Sequence, residues 1–166
     1  VLRDAAHLYV LFRCVEPDLD KTVAHSDNRL RCESHLPCGE DLVEIVLDPG
    51  RRAEDAGELY RLLVKVNGVH LARRGPDGEA WPVRPRTAVR RRKNVWYAEA
   101  AIPLTALGPG AADRDWGVNF VRFATQGAEA SSWTGAVTDP YNPRTLGALI
   151  VLEPGEAAPV HRDPNR

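Results

Sequence analysis

The sequence predicts an all-β domain: a sandwich of two antiparallel sheets, of jelly-roll or immunoglobulin-like size. Three observations predict it. About seven to nine short runs of β-branched and aromatic residues follow one another along the chain. Turn residues punctuate them throughout, with 13 glycines and 13 prolines in 166 residues. No segment carries a sustained helical period. That combination leaves two stacked sheets as the way to bury a single core.

The elements follow in order. Residues 8–16 run Leu-Tyr-Val-Leu-Phe-Arg-Cys-Val-Glu and stop at Pro17, so they form a strand. Residues 17–41 are rich in Asp, Ser, Asn, Pro and Gly and read as a long loop. Residues 42–48 form the second strand, closed by Pro49 and Gly50. Val43, Ile45 and Leu47 share one face of it; Glu44, Val46 and Asp48 share the other. Residues 59–66 form a third strand, Asn67-Gly68 a hairpin turn, and residues 69–73 the returning partner. Gly75, Pro76, Asp77 and Gly78 mark the next turn. Pro82 and Pro85 demote residues 80–92 to an edge strand. Residues 95–102 alternate cleanly, with Trp96, Ala98, Ala100 and Ile102 on one face. Residues 103–107 suit one helical turn ended by Gly108. Residues 116–125 and 146–152 supply the last strands. The domain therefore occupies residues 1–153, and residues 154–166 read as a tail or linker.

Composition sets the function classes. Hydrophobic residues make up 43% and charged residues 27%, the balance of a packed globular chain. The net charge of −1 gives no ground for nucleic acid or an anionic membrane as partner. No apolar run approaches the roughly 18 residues that span a bilayer. The chain contains no methionine and opens on Val1 without a signal peptide. It is therefore expected to be a piece of a larger, exported product, tethered to other domains and placed outside the cell or in the periplasm. Cys14, Cys32 and Cys38 lack zinc-ligand spacing. Cys14 fits a buried free thiol, and Cys32 and Cys38 are open to a small loop disulfide.

Catalytic signatures are missing. There is no G-x-S-x-G, no phosphate-cradling glycine loop and no H-E-x-x-H. Glu44 and Glu99 project from strands, but pairing with Arg61 and Lys65 across strands accounts for such glutamates better than paired-carboxylate catalysis. The cations Arg84, Arg86, Arg90, Arg91, Arg92 and Lys93 have only Trp81 nearby, so a charged, aggregation-resistant edge strand explains them better than base stacking. Trp96 and Trp116 read as core. Trp133, in the polar run Ser131-Ser132-Trp133-Thr134-Gly135, and Trp81, in a Gly/Pro-rich stretch, are the indoles free to stack on a ligand.

The order of motifs then becomes informative. Asp41-Leu42-Val43-Glu44-Ile45-Val46-Leu47-Asp48-Pro49 is followed by Val66-Asn67-Gly68, and then by Trp96-Tyr97-Ala98-Glu99 with Ala101-Ile102-Pro103-Leu104 and Leu107-Gly108. Trp116-Gly117-Val118-Asn119-Phe120-Val121-Arg122, Ser132-Trp133 and Leu146-Gly147-Ala148-Leu149 complete the series. This succession, over residues 7 to 152, resembles the family 9 carbohydrate-binding modules and their DOMON-like relatives. The resemblance implies a β-sandwich in which two aromatic rings clamp a terminal sugar while Asn, Arg and Glu side chains bind its hydroxyls. By position, Trp133 matches the later ring, and Asn119 and Arg122 match the polar residues of the preceding strand. Glu44 with Arg61 would form a charged floor on the same sheet. The earlier ring has no counterpart, since residues 17–40 hold no Trp, Tyr or Phe, which leaves Trp81 or Tyr141 as substitutes. The resemblance also implies structural calcium, for which Asp18, Asp20 and Asp27 are the loop acids on offer, although solvated loop acids account for them better.

The expected function is a non-catalytic module that binds a sugar or similar small polar ligand. The alternative is a structural or protein-interaction sandwich without a sugar site. The third reading is the haem-binding branch of the same superfamily, for which His70 is the one histidine beside a confident strand.

Overall fold

A computed structural model describes residues 1–27, 39–76, 79–136, 138–152 and 156. Cys32 and Cys38 lie outside the described residues, as does nearly all of the tail. Among the described residues ten strands are formed in chain order. They are β1 (Leu2–Arg3), β2 (His7–Val15), β3 (Leu42–Pro49), β4 (Tyr60–Lys65) and β5 (His70–Arg74), then β6 (Arg86–Arg92), β7 (Val95–Pro103), β8 (Asp115–Ala124), β9 (Glu129–Ser132) and β10 (Gly147–Ile150). The helical segments among the described residues are short 3-10 turns, including Leu104–Ala106 where one turn was predicted.

The strands make two antiparallel sheets. The first has the order β1-β2-β7-β6. The second has the order β10-β8-β3-β4-β5, and β9 also pairs with β8. β10 takes the first half of β8, from Asp115 to Val118, and β9 takes the second, from Val121 to Ala124. β6 is an edge strand, as its prolines and arginines predicted. The two-residue β1 and the Ser-rich β9 carry too few apolar residues to be read from sequence.

The core between the sheets follows the period of two. Leu8, Val10 and Cys14 of β2 and Trp96, Ala98, Ala100 and Ile102 of β7 meet Val43, Ile45, Leu47, Leu62, Val64 and Val118 of the second sheet. Trp96 and Trp116 are fully buried here, as expected. Cys14 is a buried free thiol, and burial pushes its pKa up to about 11. Backbone packing is close where the turn after β7 crosses β3. A side chain on Gly110 would place its Cβ 2.0 Å from the Pro49 carbonyl oxygen.

β3 departs from the half-buried pattern expected of an antiparallel strand, because all eight of its residues are buried. Its second face is roofed at both ends. Leu42 packs with Leu63, Leu71, Val121 and Phe123. Val46 packs with Leu59, Tyr141 and Leu146, which come from loops laid over the sheet. Between these two patches the covered face is polar.

Candidate functional site

The polar cluster follows from register. Val46 stands opposite Arg61 on β4 and opposite Asn119 on β8. Glu44, two residues along β3, therefore shares its face with both and lies diagonal to each. Burial of this set is complete: Glu44 and Asn119 are 0% exposed and Arg61 is 2% exposed.

Such charges must be paired, and they are. Arg61 Nε donates to Glu44 Oε1 at 2.5 Å. Arg61 Nη1 donates to the carbonyls of Gly75 and Pro76 at 3.0 and 2.8 Å. The remaining contacts come from Tyr141. Its hydroxyl donates to Glu44 Oε2 at 2.9 Å and accepts from Arg61 Nη2 at 2.7 Å. Its ring lies under the guanidinium, 4.0 Å from centroid to Cζ. Burial, with the Glu44 carboxylate beside it, holds the Tyr141 phenol well above its ordinary range, so it stays protonated and able to donate.

Asn119 holds the segment that carries Tyr141. Its Nδ2 donates to the Pro140 carbonyl at 3.3 Å. Its Oδ1 accepts from Ser132 Oγ at 3.0 Å and from the Thr134 N–H at 3.4 Å. One amide thus fastens both ends of the segment from Ser132 to Pro140 to the sheet. On the other flank, Asp48 accepts from the N–H groups of Arg52 and Ala53 and closes the turn that follows β3.

The residues predicted to act together are divided by the structure. Glu44, Arg61 and Asn119 share the covered face. Arg122 does not join them: three residues from Asn119, an odd step on a strand, it points to the opposite face. There it meets Glu16 Oε2 at 2.8 Å, at the end of the sandwich. Burial raises the pKa of Glu16 despite that guanidinium. Trp133 is 58% exposed, but it also sits on the side opposite Glu44. Its N–H continues the ladder to the Phe120 carbonyl, and its ring packs against Phe120 and over Gly147 at the sandwich edge. Trp81 is removed from the site, because it is 5% exposed and forms part of the core. Its indole stacks edge-on to Tyr60 and donates to the Ala106 carbonyl, which satisfies the one polar atom that would otherwise hold it at the surface.

The other candidates find ordinary roles. Asp18 caps the 3-10 turn Leu19–Lys21 and pairs with Lys21 at 3.2 Å. Asp20 is exposed. Asp27 faces the Lys65 ammonium, an unsuitable neighbour for a cation. Among the described residues no group of three or more His, Cys, Asp or Glu side chains is placed to hold a metal ion. His70 is exposed and shares a hydrogen bond with Thr87 Oγ1. Glu44 pairs with Arg61 as expected, whereas Lys65 takes Glu40 at 2.9 Å and Glu99 is exposed.

The residue whose role sequence reasoning missed is Tyr141, considered only as a substitute ring. The legible signal was an aromatic in the loop Asp139-Pro140-Tyr141-Asn142-Pro143, where two prolines fix its approach. The described residues also contain no helix long and apolar enough to cross a membrane.

No protein-family profile matches the chain, and no curated protein matches it. Solved structures do match, and two of them are informative. Both are of a family 9 carbohydrate-binding module from Caldicellulosiruptor kristjanssonii, one in complex with cellotriose and one with glucose. They cover 97% and 96% of this chain and 78% and 77% of their own, each with a TM-score of 0.63 and 17% identity. The chain has the β-sandwich fold of a family 9 carbohydrate-binding module.

Proposed function

We propose that the domain is a non-catalytic carbohydrate-binding module whose ligand hydroxyl takes the place of the Tyr141 hydroxyl. One observation carries this reading: the buried Glu44–Arg61 pair is bridged by a hydroxyl that donates to the carboxylate and accepts from the guanidinium. A sugar hydroxyl is the ligand group that reproduces both bonds at once. The pair is fully covered, so binding requires Tyr141 and its loop to swing off the sheet, and affinity is modest as a result. The shared fold with modules in complex with glucose and cellotriose supports the ligand class. An exported parent protein carrying the module beside another domain is part of the same proposal.

The closure of the site favours a second reading, a structural or interaction sandwich in which the pair only holds the loop down. Calorimetric titration with glucose and cello-oligosaccharides separates the two. The first reading expects saturable binding that is lost in Glu44→Gln, with the variant shown folded by its circular dichroism, and kept in Trp133→Ala. Loss in Trp133→Ala alone would move the site to the sandwich edge. No heat from any sugar would leave the structural reading. Repeating the titration with and without calcium tests the ion implied by the family resemblance.

A further inference from the structure

The first sheet turns its other face to solvent, away from the site above. Register sets side chains in rows across β2, β7 and β6: Arg13, Tyr97 and Arg90; Val15, Val95 and Arg92; Leu11, Glu99 and Ala88; Tyr9, Ala101 and Arg86. Their alternating neighbours, among them Val10, Cys14, Trp96 and Ala98, fill the core, so these rows face outward. Arg13, Arg86, Arg90 and Arg92 are all exposed, and the acids at this face are Glu99 and Asp4, which accepts from the Tyr9 hydroxyl. Among the described residues none of the four has a carboxylate within ion-pair distance. Arg51, Arg52, Arg61, Arg114, Arg122 and Lys65, by contrast, each have one. The same face carries an open groove of about 470 Å³, whose lining includes Leu2, Tyr9, Leu11 and Ala88 together with Arg86 and Glu99.

Protection of an edge strand accounts for cations on β6. Arg13 stands on β2 beyond the two residues that β1 covers, so its strand edge is open too, but edge protection does not by itself set Arg13 and Arg90 on either side of one tyrosine, Tyr97. Strand geometry places Arg13 and Arg90 about 10 Å apart at the backbone, and Arg90 and Arg92 about 7 Å apart. In the register Tyr97 stands between the first two. A flat face with unpaired guanidinium forks and half-covered phenol rings complements an extended anionic chain whose units have apolar ring faces. We propose that this face binds a carboxylated polysaccharide, with Arg13, Arg90 and Arg92 taking its carboxylates and Tyr97 its pyranose ring. Nucleic acid is the poorer match, because it draws on a strongly basic whole and several stacking rings, and this chain has a net charge of −1.

Affinity electrophoresis in gels containing polygalacturonate tests the proposal, with the fully methyl-esterified polymer as the neutral control. The domain is expected to be retarded by the acid polymer only, and less so as salt rises. The double variant Arg13→Ala/Arg90→Ala should weaken binding about a hundredfold, and Tyr97→Ala about tenfold. Both sets of side chains lie at the surface, so an unchanged Tm and unchanged neutral-sugar binding will show that the fold is intact. Equal retardation by the ester, full binding by the double variant, no retardation at low salt, or tighter binding to a single-stranded oligonucleotide would each overturn the assignment.

Discussion

Replacing Tyr141 with phenylalanine separates the two roles that the buried pair can play. The substitution removes one oxygen and leaves the ring on Arg61, Val46, Leu59 and Leu146. Two hydrogen bonds to charged groups are lost, each worth about 1.5–3 kcal/mol net. Part of that is recovered, because Glu44 and Arg61 stay bonded to each other and Arg61 keeps the Gly75 and Pro76 carbonyls. A destabilisation of about 2–4 kcal/mol follows, which lowers Tm by about 5–15 °C in a domain of this size. Sugar affinity should move the other way. If the tyrosine hydroxyl competes with a ligand hydroxyl, weakening the closed state by about 2 kcal/mol raises affinity up to about 30-fold. Scanning calorimetry reads the first quantity, and titration with cellotriose reads the second. A fall in stability accompanied by weaker binding would refute the displacement argument. An unchanged Tm would refute the bridging hydroxyl itself.

Gly110→Ala forces a methyl group against the Pro49 carbonyl oxygen, 2.0 Å from the ideal Cβ position, and should cost about 1–3 kcal/mol in urea unfolding. Cys14 should stay unmodified by a thiol reagent at pH 8 in the folded protein and react fully in denaturant, because burial pushes its pKa up to about 11. Asp4 accepts hydrogen bonds from the Ala6 N–H, the Tyr9 hydroxyl and the His7 N–H, and these hold its pKa below the ordinary 3.8. Its contribution is therefore present above pH 3.8 and is lost as pH falls through the depressed folded value. The Tyr9 phenol, donating to Asp4, is raised above 10.0, and NMR titration should return its ring to the ordinary value in Asp4→Asn.

Much of the fold was legible in advance. Strands with strict alternation, such as β7 with Trp96, Ala98, Ala100 and Ile102, declared both their ends and their buried face. The Asn67-Gly68 turn fixed the β4–β5 hairpin, where Gly68 takes a φ of 90° that side-chain-bearing residues avoid. The candidate site was legible only in part. Glu44 and Arg61 were paired from strand order, and the structure keeps that pair. The odd spacing of Asn119 and Arg122 already placed them on opposite faces, and matching them by position to one site overrode that period. Trp81 was assigned to a ligand from its Gly/Pro-rich surroundings, but a loop indole is drawn into the core when a carbonyl can satisfy its N–H, as that of Ala106 does.

The sequence by itself determined the local terms: where strands begin and end, which side chains alternate, and which turns admit glycine. These depend on residues within a few positions of one another. Only the tertiary structure decided that β3 is buried on both faces, that Asn119 clamps a loop, and that Tyr141 reaches Glu44 from 97 residues away. The physical reason is that a buried charge can be satisfied by any hydroxyl or carbonyl the folded chain brings within about 3 Å. That proximity is a property of the packed sheets and their covering loops, not of any stretch of sequence read alone.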